Sequence, residues 1–145
     1  MTHNITLKLA DEQATLKLGA DFARALLAGV NIYLHGDLGA GKTTLVRGVL
    51  NGLGFAGKVK SPTYTWVEPY QVRLNQDEVN LYHFDLYRIQ SPQELYVIGL
   101  EEYFDSRSLV LVEWPEKGEG ILPPPTLSIH LKTIDDSHRW LTHQG

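Results

Sequence analysis

The sequence predicts an α/β fold, a sheet with helices on its faces that finishes in a C-terminal antiparallel hairpin, and three stretches carry that prediction. Residues 30–35 (Val-Asn-Ile-Tyr-Leu-His) read as a short strand and residues 42–50 as a helix, so the chain runs strand, loop, helix. Residues 109–112 (Leu-Val-Leu-Val) are a continuous apolar run, as expected of a parallel strand buried on both faces. Residues 126–134 and 138–142 alternate apolar and polar side chains about Asp135, Asp136 and Ser137, the pattern of a terminal hairpin.

The loop of the first stretch carries the chemistry. Residues 36–44 read Gly-Asp-Leu-Gly-Ala-Gly-Lys-Thr-Thr and match the phosphate-binding pattern G-x-x-x-x-G-K-[ST] at Gly36, Gly41, Lys42 and Thr43. Glycines at 36, 39 and 41 permit a backbone path in which successive N–H groups turn inward around a phosphate chain. The helix that follows points its positive dipole end at the same anion. Lys42 would supply a mobile cation to the β and γ phosphates, and the Thr43 hydroxyl would hold a bridging magnesium ion. A chance glycine turn before a helix would not also bring the lysine, the threonine and the preceding strand.

Composition limits the alternatives. A chain of 145 residues with 43% hydrophobic content has the size of one domain, residues 1–145, and can bury a core. A net charge of -4 and a pI near 5.8 argue against a broad electrostatic footprint for nucleic acid or anionic membrane, so any RNA contact is expected to be indirect. With no cysteine there is no disulfide, thiolate metal site or catalytic thiol. The N-terminus lacks the apolar core of a signal peptide, and no run approaches a membrane span, so the expectation is a soluble, cytoplasmic protein that does not engage a membrane.

In chain order, residues 5–9 alternate as an edge or hairpin strand, and Asp11 offers a helix cap with Glu12 in the first turn. Ala14, Leu18, Phe22 and Leu26 then form a stripe expected to face the sheet, with Gly29 ending the helix. Asp11, Glu12 and Thr15 read as a cap and a solvated first turn, although the chain there is also within reach of a nucleotide base. After the phosphate loop, Leu45, Val49 and Leu53 carry the buried stripe, and Gly52 and Gly54 end the helix. Pro62 forces an extended approach to a strand at 63–68. Thr63 lies where a γ-phosphate-sensing switch would sit, and is equally readable as part of a Ser-Pro turn. Residues 73–78 are polar and should close a hairpin with a partner strand at 79–84.

That partner runs into Asp85, a strand-end carboxylate placed to orient a metal-bound or attacking water, or else to pair with Arg88. His83 reads as a packed or hydrogen-bonded histidine, not a base. Ser91, Pro92 and Glu94 mark a helix start, and Glu101, Glu102 and Asp105 form an acidic face. The apolar run at 109–112 ends in Glu113 and Trp114. An acid at the carboxyl end of a central strand falls beside the phosphate loop, which makes Glu113 a second metal-side candidate and by local pattern the better one. Trp114 either covers the nucleotide or plugs the strand end. Residues 116–125, with Gly118, Gly120 and three prolines, should be loop.

Several activities share this loop. A GTP switch would carry an Asn-Lys-x-Asp segment, absent here, so an adenine nucleotide is favoured by elimination. A small-molecule kinase would bring an arginine-rich lid, whereas the six arginines are scattered. A nucleotide-gated binding module, in which hydrolysis resets a partner complex, suits the chain's size and its paired strand-end acids.

The loop at 36–44, Lys-Ser-Pro-Thr-Tyr-Thr at 60–65, His-Phe-Asp-Leu-Tyr-Arg at 83–88 and Val-Glu-Trp-Pro at 112–115, in this order, closely resemble the bacterial TsaE (YjeE) family. The members of that family are ATPase subunits that support threonylcarbamoyladenosine formation at position 37 of tRNA, and the match spans nearly the whole chain. The resemblance implies a P-loop NTPase-like three-layer sandwich with a mixed, mainly parallel sheet. It also implies ATP and Mg2+ as ligands, TsaB and TsaD as partners that do the transfer chemistry, tRNA reached only through that complex, and weak activity alone. Carried over by position, Leu38, Gly39, Ala40, Gly41, Lys42, Thr43 and Thr44 would bind phosphates, with Thr43 and Glu113 on the metal. Asp85 and Thr63 would assist hydrolysis, and Trp114 would lie near the nucleotide. The motifs show no departure from the family pattern; the segment 75–78 and the terminal strands are its least distinctive parts.

Overall fold

Strands whose side chains are apolar on both faces must be covered on both faces, and this requirement orders the sheet. In the computed structural model, which describes residues 4–60, 66–134 and 139–144, β2 (Asn31–His35) buries Ile32, Tyr33 and Leu34, and β5 (Leu109–Glu113) buries every residue. The two pair in parallel, with Leu34 opposite Glu113. On their flanks lie β6 (Leu127–Thr133), parallel to β2, and β4 (Asp77–Asp85), parallel to β5. Three further strands close the edges in antiparallel fashion: β3 (Val67–Leu74) on β4, β7 (Arg139–Gln144) on β6, and β1 (Asn4–Leu9) on β7. Among the described residues the order is β1-β7-β6-β2-β5-β4-β3, a mixed seven-stranded sheet with a parallel centre.

The helices α1 (Glu12–Ala23) and α2 (Lys42–Gly52) cover one face, where Leu45, Val49 and Leu50 pack with Ile32, Leu34, Leu81 and Leu111. The other face buries Tyr33, Phe84, Val110 and Val112 under Leu86, Leu95 and Leu100. The short helix α3 (Glu94–Val97) and a 3-10 turn at Leu100–Glu102 supply that layer, and Tyr103 meets the Phe84 ring edge-on at 5.3 Å. The α/β three-layer arrangement expected from the sequence is therefore present. Among the described residues, no helix is long and apolar enough to cross a membrane.

Local expectations hold at many elements and shift at a few. Asp11 caps α1, accepting from the Ala14 N–H at 2.8 Å. That helix stops at Ala23, well before Gly29, so Leu26 is buried from the following turn and not from the helical stripe. Ala14, Leu18 and Phe22 do pack on the sheet-side core, but the fully buried positions are Thr15, Gly19 and Ala23, and the glycine among them is pressed against α2. The hairpin strand β3 (Val67–Leu74) runs on past the 68 expected as its end, because the turn contracts to Asn75 and Gln76, both with positive φ (51° and 74°). Residues 61–65, and with them Thr63, lie outside the described residues, as do 135–138, which include the expected turn residues Asp135, Asp136 and Ser137. Glu94 accepts from the Gln90 and Ser91 N–H groups at 2.8 and 3.2 Å, but α3 starts at Glu94 with Gln93 at its N-cap, two residues after the Ser91 cap and Pro92 start expected, because Pro92 and Gln93 form the turn that leads into it. The first residues of the segment expected as loop, 116–118, instead belong to a 3-10 turn, Pro115–Gly118, that leads away from the end of β5.

The contact that sets the spacing of α1 and α2 is glycine on glycine. A Cβ on Gly48 would stand 2.3 Å from the Leu16 carbonyl oxygen and 3.1 Å from the Gly19 Cα, and one on Gly19 would stand 2.6 Å from the Leu45 carbonyl oxygen. All of these neighbours are backbone, so a methyl group forces the helices apart. G48A should therefore destabilise the protein by about 1–3 kcal/mol through overpacking, in spite of the ~1 kcal/mol by which alanine favours a helix over glycine. Urea unfolding followed by far-UV circular dichroism measures this, and an unchanged or raised midpoint would contradict the close approach.

Candidate nucleotide site

The carboxyl ends of β2, β5 and β4 fall level, because Leu34 pairs with Glu113 and Glu113 with Asp85. A single rim of the sheet thus carries the start of the phosphate loop and both candidate acids, the position at which open parallel sheets bind ligands. Gly36 has φ 151° and Gly41 φ 103°, and a Cβ on Gly36 would lie 2.6 Å from the Leu131 carbonyl oxygen. The loop can therefore leave β2 against β6 only with glycine at that point. At its far end Gly41 begins α2 without a side-chain cap, so no side chain at the N-cap competes with a ligand for the first-turn amides.

These groups enclose a cavity of about 350 Å³ whose walls include Gly39, Gly41, Lys42, Thr43, Thr44, Asp85, Glu113 and Trp114. Its volume lies in the range of small-molecule sites. Leu38, 66% exposed, stands at the mouth with Tyr87. Ala40 and Gly36 do not line it. Ala40 turns its methyl into the helix-side core and presents only backbone, while Gly36 is hemmed in by β6.

Inside the cavity, the Thr43 hydroxyl donates to the Glu113 carboxylate, at 3.1 Å from Oε2 and 3.3 Å from Oε1. Glu113 is buried, and its Oε2 also lies 2.6 Å from His83 Nε2, itself fully buried. Asp85 is turned differently. Its Oδ1 accepts from the Tyr87 N–H at 3.1 Å, and among the described residues it makes no ion pair with Arg88. Of the two strand-end acids, Glu113 is the one that meets Thr43. Among the described residues no group of three or more His, Asp or Glu side chains could hold a metal ion unaided.

Lys42 is buried at the start of α2, where its ammonium donates to the Gly36 carbonyl and sits 3.6 Å from the centre of the Trp114 ring. Burial pulls its pKa down, opposed by the nearby Glu113, Glu116, Asp85 and Asp37. Trp114 takes a left-handed backbone (φ 58°) directly after β5, which swings its ring over the lysine and against Tyr87 at 5.0 Å. His83 is both packed and hydrogen-bonded, as its place in the strand pattern suggests, but no local pattern names Glu113 as its partner. Nor does any local pattern mark Tyr87, or Arg47, which joins Glu12 at 3.1 Å and Thr44 at 3.2 Å. The Glu12–Arg47 pair joins the first turn of α1 to α2 beside the loop, and with 63% of its side chain exposed Glu12 stays on the solvated first turn expected of it.

Burial chiefly, and Glu113 after it, raise the pKa of Asp85, against the lowering pull of the Tyr87 N–H, His83 and Lys42. For a carboxyl whose folded pKa is raised, the stabilising contribution is full below the unfolded pKa and is lost as pH rises through the folded pKa. Ionised Asp85 thus weakens the fold at neutral pH. D85N should unfold at higher urea than the parent at pH 7, with the gap closing as pH falls through the carboxylate range. Urea midpoints at several pH values test this, and a D85N midpoint below the parent's at pH 7 would contradict it.

Comparisons with known proteins agree on one family. Residues 9–141 match the family described as threonylcarbamoyl adenosine biosynthesis protein TsaE. The tRNA threonylcarbamoyladenosine biosynthesis protein TsaE of Haemophilus influenzae is 45% identical over 139 residues, 92% of this chain and 85% of the relative. The Bacillus subtilis protein of that name is 39% identical over 137 residues, 94% of this chain and 81% of its own. The crystal structure of Bacillus subtilis YdiB superposes with a TM-score of 0.80 at 32% identity, covering 100% of this chain and 87% of that one. With residues 9–141 under the family model and a relative 45% identical over 92% of its length, the chain belongs to the TsaE family of threonylcarbamoyladenosine biosynthesis proteins.

Proposed function

We propose that this protein binds ATP with Mg2+ and hydrolyses it slowly, and that turnover resets or remodels a complex with TsaB- and TsaD-family partners during threonylcarbamoyl modification of adenosine 37 in tRNA. The observation that carries the reading is the meeting of Thr43 and Glu113 at the uncapped start of α2. A hydroxyl and a buried carboxylate suit Mg2+, which takes one or two protein oxygens and completes its shell with phosphate and water. The described residues fit that demand, since they supply this pair and no larger cage. When bound there, Mg2+ would neutralise charge that builds up on the phosphates during transfer.

The chain's own groups divide the remaining tasks. The amides of the loop and the first turn of α2 hold the phosphates. Lys42 moves its ammonium from the Gly36 carbonyl and the Trp114 face onto the phosphate chain. Asp85, half-buried at the end of β4 and on the same wall, orients the attacking water. Thr63 would assist at the γ phosphate. Trp114, once released by Lys42, covers the nucleotide beside Tyr87. Because Lys42 begins engaged elsewhere, nucleotide binding must first break two contacts, which fits low activity in isolation. This feature also supports a second reading, a nucleotide-gated binding module in which occupancy, not turnover, is the signal. A small-molecule kinase is the remaining alternative.

Phosphate release from ATP with Mg2+, by the protein alone and then with TsaB and TsaD, separates these readings. The proposal expects slow release that rises with the partners. No release under either condition, with ATP still changing tryptophan fluorescence, would overturn the hydrolysis and point to the binding module or to a kinase lacking its acceptor, and fast release without partners would contradict the resetting role. In the same assay K42A should lose at least ~100-fold in kcat/KM, about 3 kcal/mol, the scale on which removing one member of a desolvated charge contact is felt.

A further inference from the structure

The buried Glu113 carboxylate has a second partner that the family motifs leave without a role. His83 is 0% exposed, two residues before Asp85 on β4, and its Nε2 lies 2.6 Å from Glu113 Oε2. The parallel register sets Asp85 opposite Glu113 and His83 opposite Leu111, so His83 reaches Glu113 diagonally across the strand pair, on the face covered by α2. Its neighbours on that face, Leu81, Leu109 and Leu111, are apolar and buried. The imidazole is thus a polar group set in a hydrocarbon layer, with Glu113 as its one hydrogen-bond partner among the described residues.

The other ring nitrogen identifies the tautomer. No described residue partners His83 Nδ1, which is fully buried. A proton on that atom would be a buried donor with no acceptor, whereas a lone pair there is the cheaper group to leave unmatched. The ring proton therefore belongs on Nε2 and is donated to Glu113 Oε2, the same oxygen to which the Thr43 hydroxyl donates at 3.1 Å. With one oxygen held by both donors, the carboxylate cannot rotate away from Thr43 without leaving the histidine N–H unsatisfied in the core.

We propose that His83 is a positioning residue that locks the Glu113 carboxylate beside Thr43 and so presets the magnesium site. This rests on the reading of Glu113 as the metal-side carboxylate. His83 touches neither nucleotide nor metal and acts through Glu113 alone. Partners of this kind behind a metal-side group characteristically set metal affinity, at ~10–100-fold per lost contact.

The test uses the intact chain with ADP, in the parent, H83L, H83Q and E113A. Mn2+ affinity is read from the electron paramagnetic resonance of free Mn2+, and ADP affinity in EDTA is read separately by calorimetry. Leucine removes the donor and keeps the site apolar, while the glutamine amide reaches as far as Nε2. The expected result is a ~10–100-fold loss of Mn2+ affinity in H83L, unchanged ADP affinity without metal, and recovery to within a few-fold of the parent in H83Q. Should H83L fail to fold, H83N takes its place, because its amide ends at the position of Nδ1 and stops short of Glu113. Parent-like Mn2+ affinity in H83L or H83N, beside a weakened E113A, would overturn the positioning role alone. Folded H83Q as weak as the donor-less variant would do so too. Parent-like affinity in E113A would instead overturn the metal reading of Glu113, and the proposal with it.

Discussion

The interaction on which the rest of the site depends is the hydrogen bond from the Thr43 hydroxyl to the Glu113 carboxylate. It joins the first turn of α2 to the end of β5, two points 70 residues apart in the chain. For these groups to meet, β2 must lie beside β5 in parallel, so that the loop leaving His35 starts level with Glu113. Helix α2 must then fold back over the face that Leu34, Leu109 and Leu111 present, which its own Leu45, Val49 and Leu50 accomplish. Burial of ordinary aliphatic side chains is in this sense what positions a charged one. A carboxylate 3% exposed is costly without partners, and the two donors at Oε2 make it tolerable.

Much of this was legible in the sequence because it is written in local patterns. The phosphate loop announces itself through glycine spacing and Lys42-Thr43. The apolar run at 109–112 marks a strand covered on both faces, and Glu113 at its end stands out by contrast with it. Asp11 as cap, the 45/49/53 stripe and the terminal hairpin follow from rules that span a few residues. Comparison with known proteins then establishes the family that the four motifs suggested.

What could not be read has a common cause. His83 and Glu113 are neighbours only through a strand register, and no local rule states which residue of β4 faces which of β5. The same holds for Gly19 and Gly48, which look like helix-weakening residues until two helices are seen to touch there. The early end of α1 and the 3-10 turn at Pro115–Gly118 reflect tertiary demands, the first a turn that buries Leu26, the second the swing that lays Trp114 over Lys42. Glu12 lies on the solvated turn expected, and only its exposed partner Arg47 on α2 is beyond local reading.

The site thus combines a preset half with an engaged one. Thr43, Glu113 and His83 are joined by hydrogen bonds to one another, whereas Lys42 is engaged with Gly36 and Trp114 and, in the proposed reading, is released to the phosphates. The measurement that tests this account most directly is a crystal structure grown with ADP and Mn2+, with the metal located by its anomalous scattering. The account predicts one Mn2+ peak coordinated by the Thr43 hydroxyl beside Glu113, with the β phosphate on the amides of the loop. A nucleotide bound outside this cavity, or a metal peak remote from both Thr43 and Glu113, would contradict it.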